Sequence, residues 1–371
     1  MNQGLALDAP SAGTSSSLQL ATQIKDLLLQ LQSNLFPKLR NEVIKLCDLL
    51  ERPHSMLKLM QESQPALDEI WHNLDCAVAI IYPNGQDYAL SKTNDQHTNE
   101  LKSYRLEQLE IHLLELTRVE KKISPVCHRY YELQHLKDPA EDVDVREELH
   151  CSKFFADEYT SYALHMIDLI TGCLKDSEID LVQSRWASGT GSIDGTLVKL
   201  LRLINLKTQI GRERVHPLRI QAIHLGELLI PIIKLTRLFF RKLPRLGMNK
   251  KWPLFTKMSS AELDDLDYSA HDVASILHDF LIYLEHYSNP NNALLAPYDL
   301  LQAANHLKAN LESALLKITV HIVPLIAETS SSLVQRDFSA WLITWRTETS
   351  VAIQQVVEAY KNFTSDIDTI H

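Results

Sequence analysis

Glycine is scarce in this chain. Only 10 of its 371 residues are glycine, against the usual ~7% of a globular protein. Tight hairpins and phosphate-binding loops depend on glycine, because glycine alone adopts positive φ without strain. The scarcity therefore argues against hairpin-rich and nucleotide-binding folds. Leu, Gln, Glu and Lys are plentiful instead, and these residues favour helices.

Disulfide and export signals are also missing. The five cysteines form no Cys-x-x-Cys pair, and their odd number does not fit a disulfide framework or a zinc pattern. They are Cys47, Cys76, Cys127, Cys151 and Cys173. The first residues lack the charged and apolar regions of a secretory signal. No uncharged apolar run reaches the ~18 residues needed to span a membrane. We therefore expect free thiols and a cytoplasmic protein.

Catalytic and ligand-binding motifs are not found either. Gly189-Thr190-Gly191 with Gly195 has the wrong spacing for a phosphate loop, and no Walker lysine follows it. Asp267 and His271 supply only two metal ligands, and no third is indicated. The sequence predicts a non-enzymatic protein without cofactor or metal. A site assembled from distant residues stays open, and a deep pocket lined by ionisable groups with displaced pKa values would indicate one.

Apolar residues recur with helical spacing along almost the whole chain. This pattern predicts an all-α fold of nine to eleven long amphipathic helices, arranged as two antiparallel bundles with coiled-coil-like packing. Residues 1–16 are small and polar and predict a disordered tail. Residues 188–195 hold three of the ten glycines and predict a linker. We therefore expect bundles at 17–187 and 196–371.

Charge is segregated along the sequence. Residues 199–257 carry a net charge of +12, whereas 1–198 carry −12 and 258–371 carry −10. Within the basic segment, four cations recur at i, i+3, i+7 and i+11 and predict one stripe on a helix. We call Lys234, Arg237, Arg241 and Arg245 the basic stripe.

Two interpretations of the basic stripe are open. Acidic helices that follow it in the sequence could neutralise it internally, and the acids concerned are Asp264, Asp265, Asp272 and Asp279. Alternatively, the stripe is a surface for an acidic protein or for anionic lipid. Nucleic acid is the least favoured partner, since the pI is about 5.9 and no nucleic-acid-binding motif accompanies the stripe.

An aromatic stripe lies near the C-terminus. Phe338, Trp341 and Trp345 recur at i, i+3 and i+7, so they share one face of a helix. Core packing is the ordinary role of such residues. If Trp341 and Trp345 are exposed instead, they predict an interaction hot spot, because tryptophan often anchors protein interfaces.

Several phrases in the second half resemble a family of uncharacterised helical proteins of rust fungi. They lie at 216–220, 228–240, 246–251, 253–256 and 258–260, and the resemblance covers roughly residues 185–350. The resemblance implies kinship and a helical fold, but no activity. The phrase Lys-Leu-x-Arg-Leu-Phe-Phe, at 234–240, is also similar to the cyclin-D-interacting helical proteins, which are acidic two-bundle proteins.

Two functions follow as hypotheses from these observations. The first is a non-enzymatic protein that acts by binding another protein. The second is a peripheral binder of anionic membranes that uses the basic 199–257 segment. The sequence leaves the identity of the partner and the oligomeric state open.

Overall fold

The computed structural model describes residues 12–50, 56–81, 92–134, 143–209, 217–247, 252–287, 300–329 and 332–370. Within these ranges the chain forms nine continuous helices and no strand, which confirms the all-α prediction. The chain divides into two compact units, Met1–Asp176 and Ser177–His371. We call them unit 1 and unit 2.

Unit 1 is a bundle of four continuous helices among its described residues. The first helix comprises α1 and α2 joined by a π-helical segment, and α3, α4 and α5 follow it. The bounds are α1 Ala12–Gln30, the π segment Leu31–Leu35, α2 Phe36–Leu50, α3 Met56–Ile81, α4 Ser103–Gln134 and α5 Val143–Lys175. A short 3-10 turn, Asn99–Leu101, precedes α4. Helix α5 packs against both α4 and α2, so its two neighbours cover one side of it.

Aliphatic side chains fill the core of unit 1. Leu31, Leu39, Leu109 and Ile81 are completely buried. On α4, the buried residues Leu106, Leu109, Leu113 and Leu116 recur at i, i+3, i+7 and i+10, a spacing that places them on one face of the helix. Burial of such a stripe, worth about 25 cal/mol per Å² of apolar surface, is the main force holding the bundle together.

Unit 2 contains five continuous helices among its described residues. They are α6 Glu178–Gln209, α7 Pro217–Gly247, α8 Ser260–Tyr287, a helix made of α9 Leu300–Lys317, the π segment Ile318–Ile322 and α10 Val323–Thr329, and finally α11 Ser332–Ile370. Helix α6 packs against α7 and α8, while α11 packs against α7 and α9.

Aromatic rings form the centre of unit 2. The ring of Phe239 stacks on Trp345 at 4.3 Å between centroids and meets Phe240 edge-on at 5.1 Å. Phe240 in turn meets Trp186 edge-on, also at 5.1 Å. The indole Nε1–H of Trp186 donates a hydrogen bond to the carbonyl of Leu266 (2.8 Å), which satisfies its polar group inside the core.

Side-chain caps begin three of the helices. Ser259 and Glu262 form the reciprocal hydrogen bonds of a capping box at α8, with Ser259 N–H donating to Glu262 Oε2 (2.8 Å). At the start of α6, the Ser177 hydroxyl accepts from the Asp180 N–H (3.1 Å) and donates to the Asp180 carboxylate (2.6 Å), and at the start of α4 Asp95 accepts from the Ser103 N–H (2.9 Å). These caps satisfy N–H groups that have no partner within the helix.

The predicted linker 188–195 is wrong. These residues lie inside α6, and the boundary between the units falls at Asp176/Ser177 instead of after residue 187. Gly189 permits close helix packing, because a Cβ atom there would lie 2.8 Å from the backbone of Ala270 on α8. Thr190 and Ile193 are buried on the same side of α6. The glycine therefore serves a helix contact and not a turn.

The predicted disordered tail 1–16 is also wrong in part. Residues 1–11 lie outside the described residues, but residues from Ala12 onward belong to α1. Small Ala, Ser and Thr residues at 12–16 do not prevent a helix when a long apolar stripe follows them, because tertiary packing outweighs their weak propensity.

Candidate functional site

The basic stripe lies on α7, facing α6. Arg237 Nε is 2.9 Å from Asp194 Oδ1, and Arg241 Nη2 pairs with the other oxygen of the same carboxylate. Gly226 of α7 lies beside Leu200 and Ile204 of α6, so the two helices run antiparallel. A single acid of α6 thus compensates part of the charge of two arginines.

The sequence analysis therefore named the wrong acids as partners of the basic stripe within the chain. The acids expected to face the basic stripe were Asp264, Asp265, Asp272 and Asp279 of α8, but the observed counter-charge is Asp194 of α6. Asp194 lies within 188–195, so the incorrect linker assignment hid it. A linker would have placed this carboxylate away from α7, whereas a continuous helix brings it to the seam.

The two ends of the basic stripe remain exposed. Lys234 and Arg245 are exposed, and neither makes an ion pair with the described part of the chain. Leu238 lies one turn beyond Lys234 and is 43% exposed. Lys199 and Arg202, on α6, are also exposed. Helices α6 and α7 therefore carry these four exposed cations in addition to the two arginines that pair with Asp194.

The two tryptophans proposed as an interaction surface have different positions. Trp345 is buried, and its Nε1–H donates to the carbonyl of Leu235 (2.8 Å). Trp341 is half-buried, with its ring stacked on Phe338 and the Lys242 ammonium 5.5 Å from its centroid. The structure thus places Trp345 in the core of unit 2 and leaves only part of Trp341 accessible.

Helix α5 presents an aromatic surface that the sequence analysis missed. Phe154, Phe155 and Tyr162 are 59%, 43% and 39% exposed. The rings of Phe155 and Tyr159 stack at 6.1 Å, and the Lys122 ammonium lies 5.5 Å from the centroid of Tyr159. We call Phe154, Phe155, Tyr159 and Tyr162 the aromatic face.

The aromatic face is exposed because α5 buries small residues instead. Its buried side contains Ser152, Ala156, Thr160 and Ala163. Small side chains let the backbone of a neighbouring helix approach closely, and α5 makes its most extensive contact with α4. A hydrophobic pattern alone favours burial of the phenylalanines. The small residues at i, i+4, i+8 and i+11 are the sequence signal that this side of α5 is buried and the phenylalanines are exposed.

A small cavity in unit 1 has ionisable side chains in its lining. It lies between α2, α3 and α4, has a volume of about 50 Å³, and is lined by Asp68, Glu120 and Cys127 among apolar residues. Ligand pockets measure ~300–1,000 Å³. This cavity therefore has room for water but not for a metabolite.

Glu120 and Cys127, in the lining of this cavity, have raised pKa values. Burial, with the nearby charges of Asp75 and Asp68, raises the pKa of Glu120 despite Lys121. Burial also raises the pKa of Cys127 to about 12, so that side chain stays a protonated thiol and a poor nucleophile at neutral pH. A perturbed acid in a cavity is a feature of enzymes, but here it lies next to an unreactive cysteine.

Asp267 and His271, the two metal ligands considered from the sequence, have different surroundings. Asp267 is buried, and its Oδ2 is 2.8 Å from Arg185 Nε. His271 is exposed, one turn further along α8. Across the described ranges, no three His, Cys, Asp or Glu side chains lie close enough together to hold a metal ion.

One helix has the length and composition of a membrane span. It is Leu300–Ile326, with a mean hydropathy of 1.3 over its most apolar part. Core helices of soluble proteins meet the same criterion, so a single such helix gives little support for membrane insertion. Its buried side includes Leu300, Leu307 and Leu311, which pack within unit 2.

Comparison with known families finds a different match for each unit. Residues 24–175 match a domain of unknown function (DUF8723), and residues 177–358 match a second domain of unknown function (DUF8721). The two matches meet at the boundary between the units. No curated protein and no solved structure matches the chain.

Proposed function

We propose that this chain of two helical domains is a non-enzymatic binding protein that acts through contact with another protein. The exposed aromatic face of α5 is the observation that supports the proposal. Aromatic side chains are enriched in protein interfaces because they bury a large apolar area at a low cost in conformational entropy. Phe154 and Phe155 are exposed next to each other, and their rings meet edge-on at 5.6 Å.

The aromatic face differs from scattered exposed leucines. Single exposed apolar residues are common on soluble proteins and require no explanation. Here three rings on one helix are in successive contact, Phe154 with Phe155 and Phe155 with Tyr159, and Lys122 lies beside Tyr159. Tyr and Lys groups around an apolar centre resemble the polar rim of an interface.

Affinity capture from native extract tests this proposal. Wild type should retain one partner at a defined stoichiometry, and Phe154→Ser/Phe155→Ser should lose it while keeping its circular dichroism. Ile343→Ser is the control, because Ile343 on α11 is a 69% exposed apolar residue of the other unit. Retention of the same partner by the double variant, or no stoichiometric partner for wild type, would reject the proposal.

Peripheral binding to an anionic membrane is the alternative. Exposed Lys234, Arg245, Lys199 and Arg202 support it, while Asp194 in the same seam and the net charge of −10 oppose it. Flotation with phosphatidylserine vesicles separates the two functions, because lipid binding requires the anionic lipid and weakens with salt. Flotation of wild type that is lost on Lys234/Arg237/Arg241/Arg245→Glu would favour the membrane.

The cellular setting belongs to the same proposal. A cytoplasmic location is consistent with the free cysteines Cys127 and Cys173 in the core. The resemblance in the second half further suggests a lineage-specific family of rust fungi, while the similarity to cyclin-D-interacting proteins rests on one phrase. Imaging of the tagged protein in a rust fungus would check both the location and the lineage.

A further inference from the structure

Two consecutive helices of unit 2 carry opposite charges. Helix α7 contains six lysines and arginines and one acid, whereas α8 contains seven acids and no lysine or arginine. This contrast is much sharper than the mixed charge of an ordinary surface helix. It provides, within one chain, two surfaces of complementary charge.

The acids of α8 form a stripe of their own. Asp265, Asp272 and Asp279 recur every seven residues and therefore follow one side of the helix. Asp272 is exposed, Asp279 is half-buried, and neither makes an ion pair with the described part of the chain. Asp265 is paired with Lys317 of α9 (3.3 Å) but remains 70% exposed. We call these three residues the acidic stripe.

The two stripes match in spacing. Lys234 and Arg241 are seven residues apart on α7, as are Asp272 and Asp279 on α8. At 1.5 Å per residue, each pair is separated by ~10.5 Å along its helix axis. Two cations on one helix can therefore meet two carboxylates on another in a single register.

The two stripes do not neutralise each other within the chain. The basic stripe meets Asp194 of α6, and the acidic stripe meets Lys317 of α9, so each faces a different neighbour. No ion pair joins the stripes among the described residues. Each stripe consequently keeps unbalanced charge at the surface.

We propose that the partner of each stripe is the opposite stripe on a second copy of this chain. The basic stripe on α7 of one copy binds the acidic stripe on α8 of another. Complementary charges with matched spacing favour this pairing over an anionic bilayer, which would repel a chain of net charge −10 and the carboxylates of α8. The inference concerns unit 2 and does not depend on the aromatic face.

Sedimentation velocity on the full chain tests the inference. Wild type should associate as its concentration rises to about 0.5 mM in about 50 mM salt, and less in about 0.5 M salt, because salt screens exposed charges. Lys234→Glu/Arg241→Glu and Asp272→Lys/Asp279→Lys should each weaken association at least about tenfold. Both double variants change exposed or half-buried positions, so circular dichroism should be unchanged.

Mixing the two double variants provides the decisive measurement. In an equimolar mixture, the reversed α7 stripe of one variant meets the reversed α8 stripe of the other, so association should return. Lys38→Glu/Lys308→Glu is the control for net charge, since both lysines are exposed and lie outside the stripes. It should associate like wild type.

Three outcomes would overturn the inference. They are a wild type that stays monomeric at low salt, a control that loses association as fully as the stripe variants, and a mixture of the reversed variants that stays monomeric. Vesicle flotation without self-association would assign the basic stripe to lipid instead. Rescue in the mixture also shows that both variants are folded.

Discussion

The two units differ in where their main cluster of aromatic rings lies. Unit 2 buries Trp186, Phe239, Phe240 and Trp345 at its centre and leaves charge on its surface. Unit 1 has a mainly aliphatic core and exposes the aromatic face of α5. Both units are nevertheless helical, because an amphipathic helix needs only one continuous apolar face that can be buried. The comparison shows that residue size alone does not decide which face of a helix is buried.

The units also differ in how they satisfy a buried charge. In unit 1, the Arg105 guanidinium is buried and donates hydrogen bonds to the carbonyls of Cys173 and Asp176 at the end of α5. In unit 2, the Glu178 carboxylate is buried and accepts from both the N–H and the hydroxyl of Thr256, each at 2.7 Å. A buried cation thus donates hydrogen bonds to carbonyls at a helix end in unit 1, whereas a buried anion accepts them from Thr256 in unit 2.

The largest expected effect comes from removing a core ring of unit 2. Trp186→Ala should lower the free energy of unfolding by about 3–5 kcal/mol, because it leaves a cavity and removes the hydrogen bond from the indole to the Leu266 carbonyl. Phe154→Ala, on the exposed face of unit 1, should change it by less than about 0.5 kcal/mol. Urea denaturation, with hydrogen exchange to identify the affected unit, measures both. Equal losses would show that the aromatic face is structural.

The next effect concerns the buried arginine of unit 1. Arg105→Met should lower the free energy of unfolding by about 2–3 kcal/mol, because carbonyls at the end of α5 lose charged hydrogen-bond donors. Hydrogen exchange should accelerate first at the C-terminal end of α5. Arg118→Met is the control, since Arg118 is exposed and only meets Glu115 on its own helix. A similar loss for both variants would contradict the anchoring role of Arg105.

The smallest expected changes in stability concern two glycines of α6, which should respond in opposite directions. Gly189→Ala should destabilise unit 2 by about 1–3 kcal/mol, since its Cβ would collide with Ala270. Gly191→Ala should instead stabilise the chain by about 0.5–1 kcal/mol, because no atom lies within 4 Å of a Cβ there and alanine is the better helix former. Thermal unfolding of the two variants gives the comparison. A loss at both positions would indicate that a further element packs on Gly191.

The helices themselves could be predicted from the sequence, because apolar periodicity and capping residues are local signals. The Ser-x-x-Glu pattern at Ser259 and Glu262 is one such local signal, and the two residues form the hydrogen bonds of a capping box. The linker prediction at 188–195 was wrong because glycine is favoured both in turns and where two helices pack closely, so its presence does not distinguish the two. Trp186, Ile193 and Leu200 recur at i, i+7 and i+14, and that spacing was the signal for a continuous helix.

The candidate surfaces could be predicted less well than the fold. The basic stripe was found because all four cations lie on one helix, but its counter-charge Asp194 comes from another helix. The aromatic face was missed because hydropathy assigns Phe154 and Phe155 to a core. Which of two possible faces a helix buries depends on the shape of its neighbours, and this information is not local in sequence.

The π-helical segments at Leu31–Leu35 and Ile318–Ile322 have a consequence for how this chain can change in length. Removing one residue from an α-helix normally rotates everything that follows by about 100°, so its buried face would turn toward solvent. A π segment already contains one residue more than a regular turn and absorbs it locally. A single-codon deletion within either segment would restore regular helix and keep the flanking faces in register. We expect relatives of this chain to vary by one residue at these two places while the rest of each helix keeps its length.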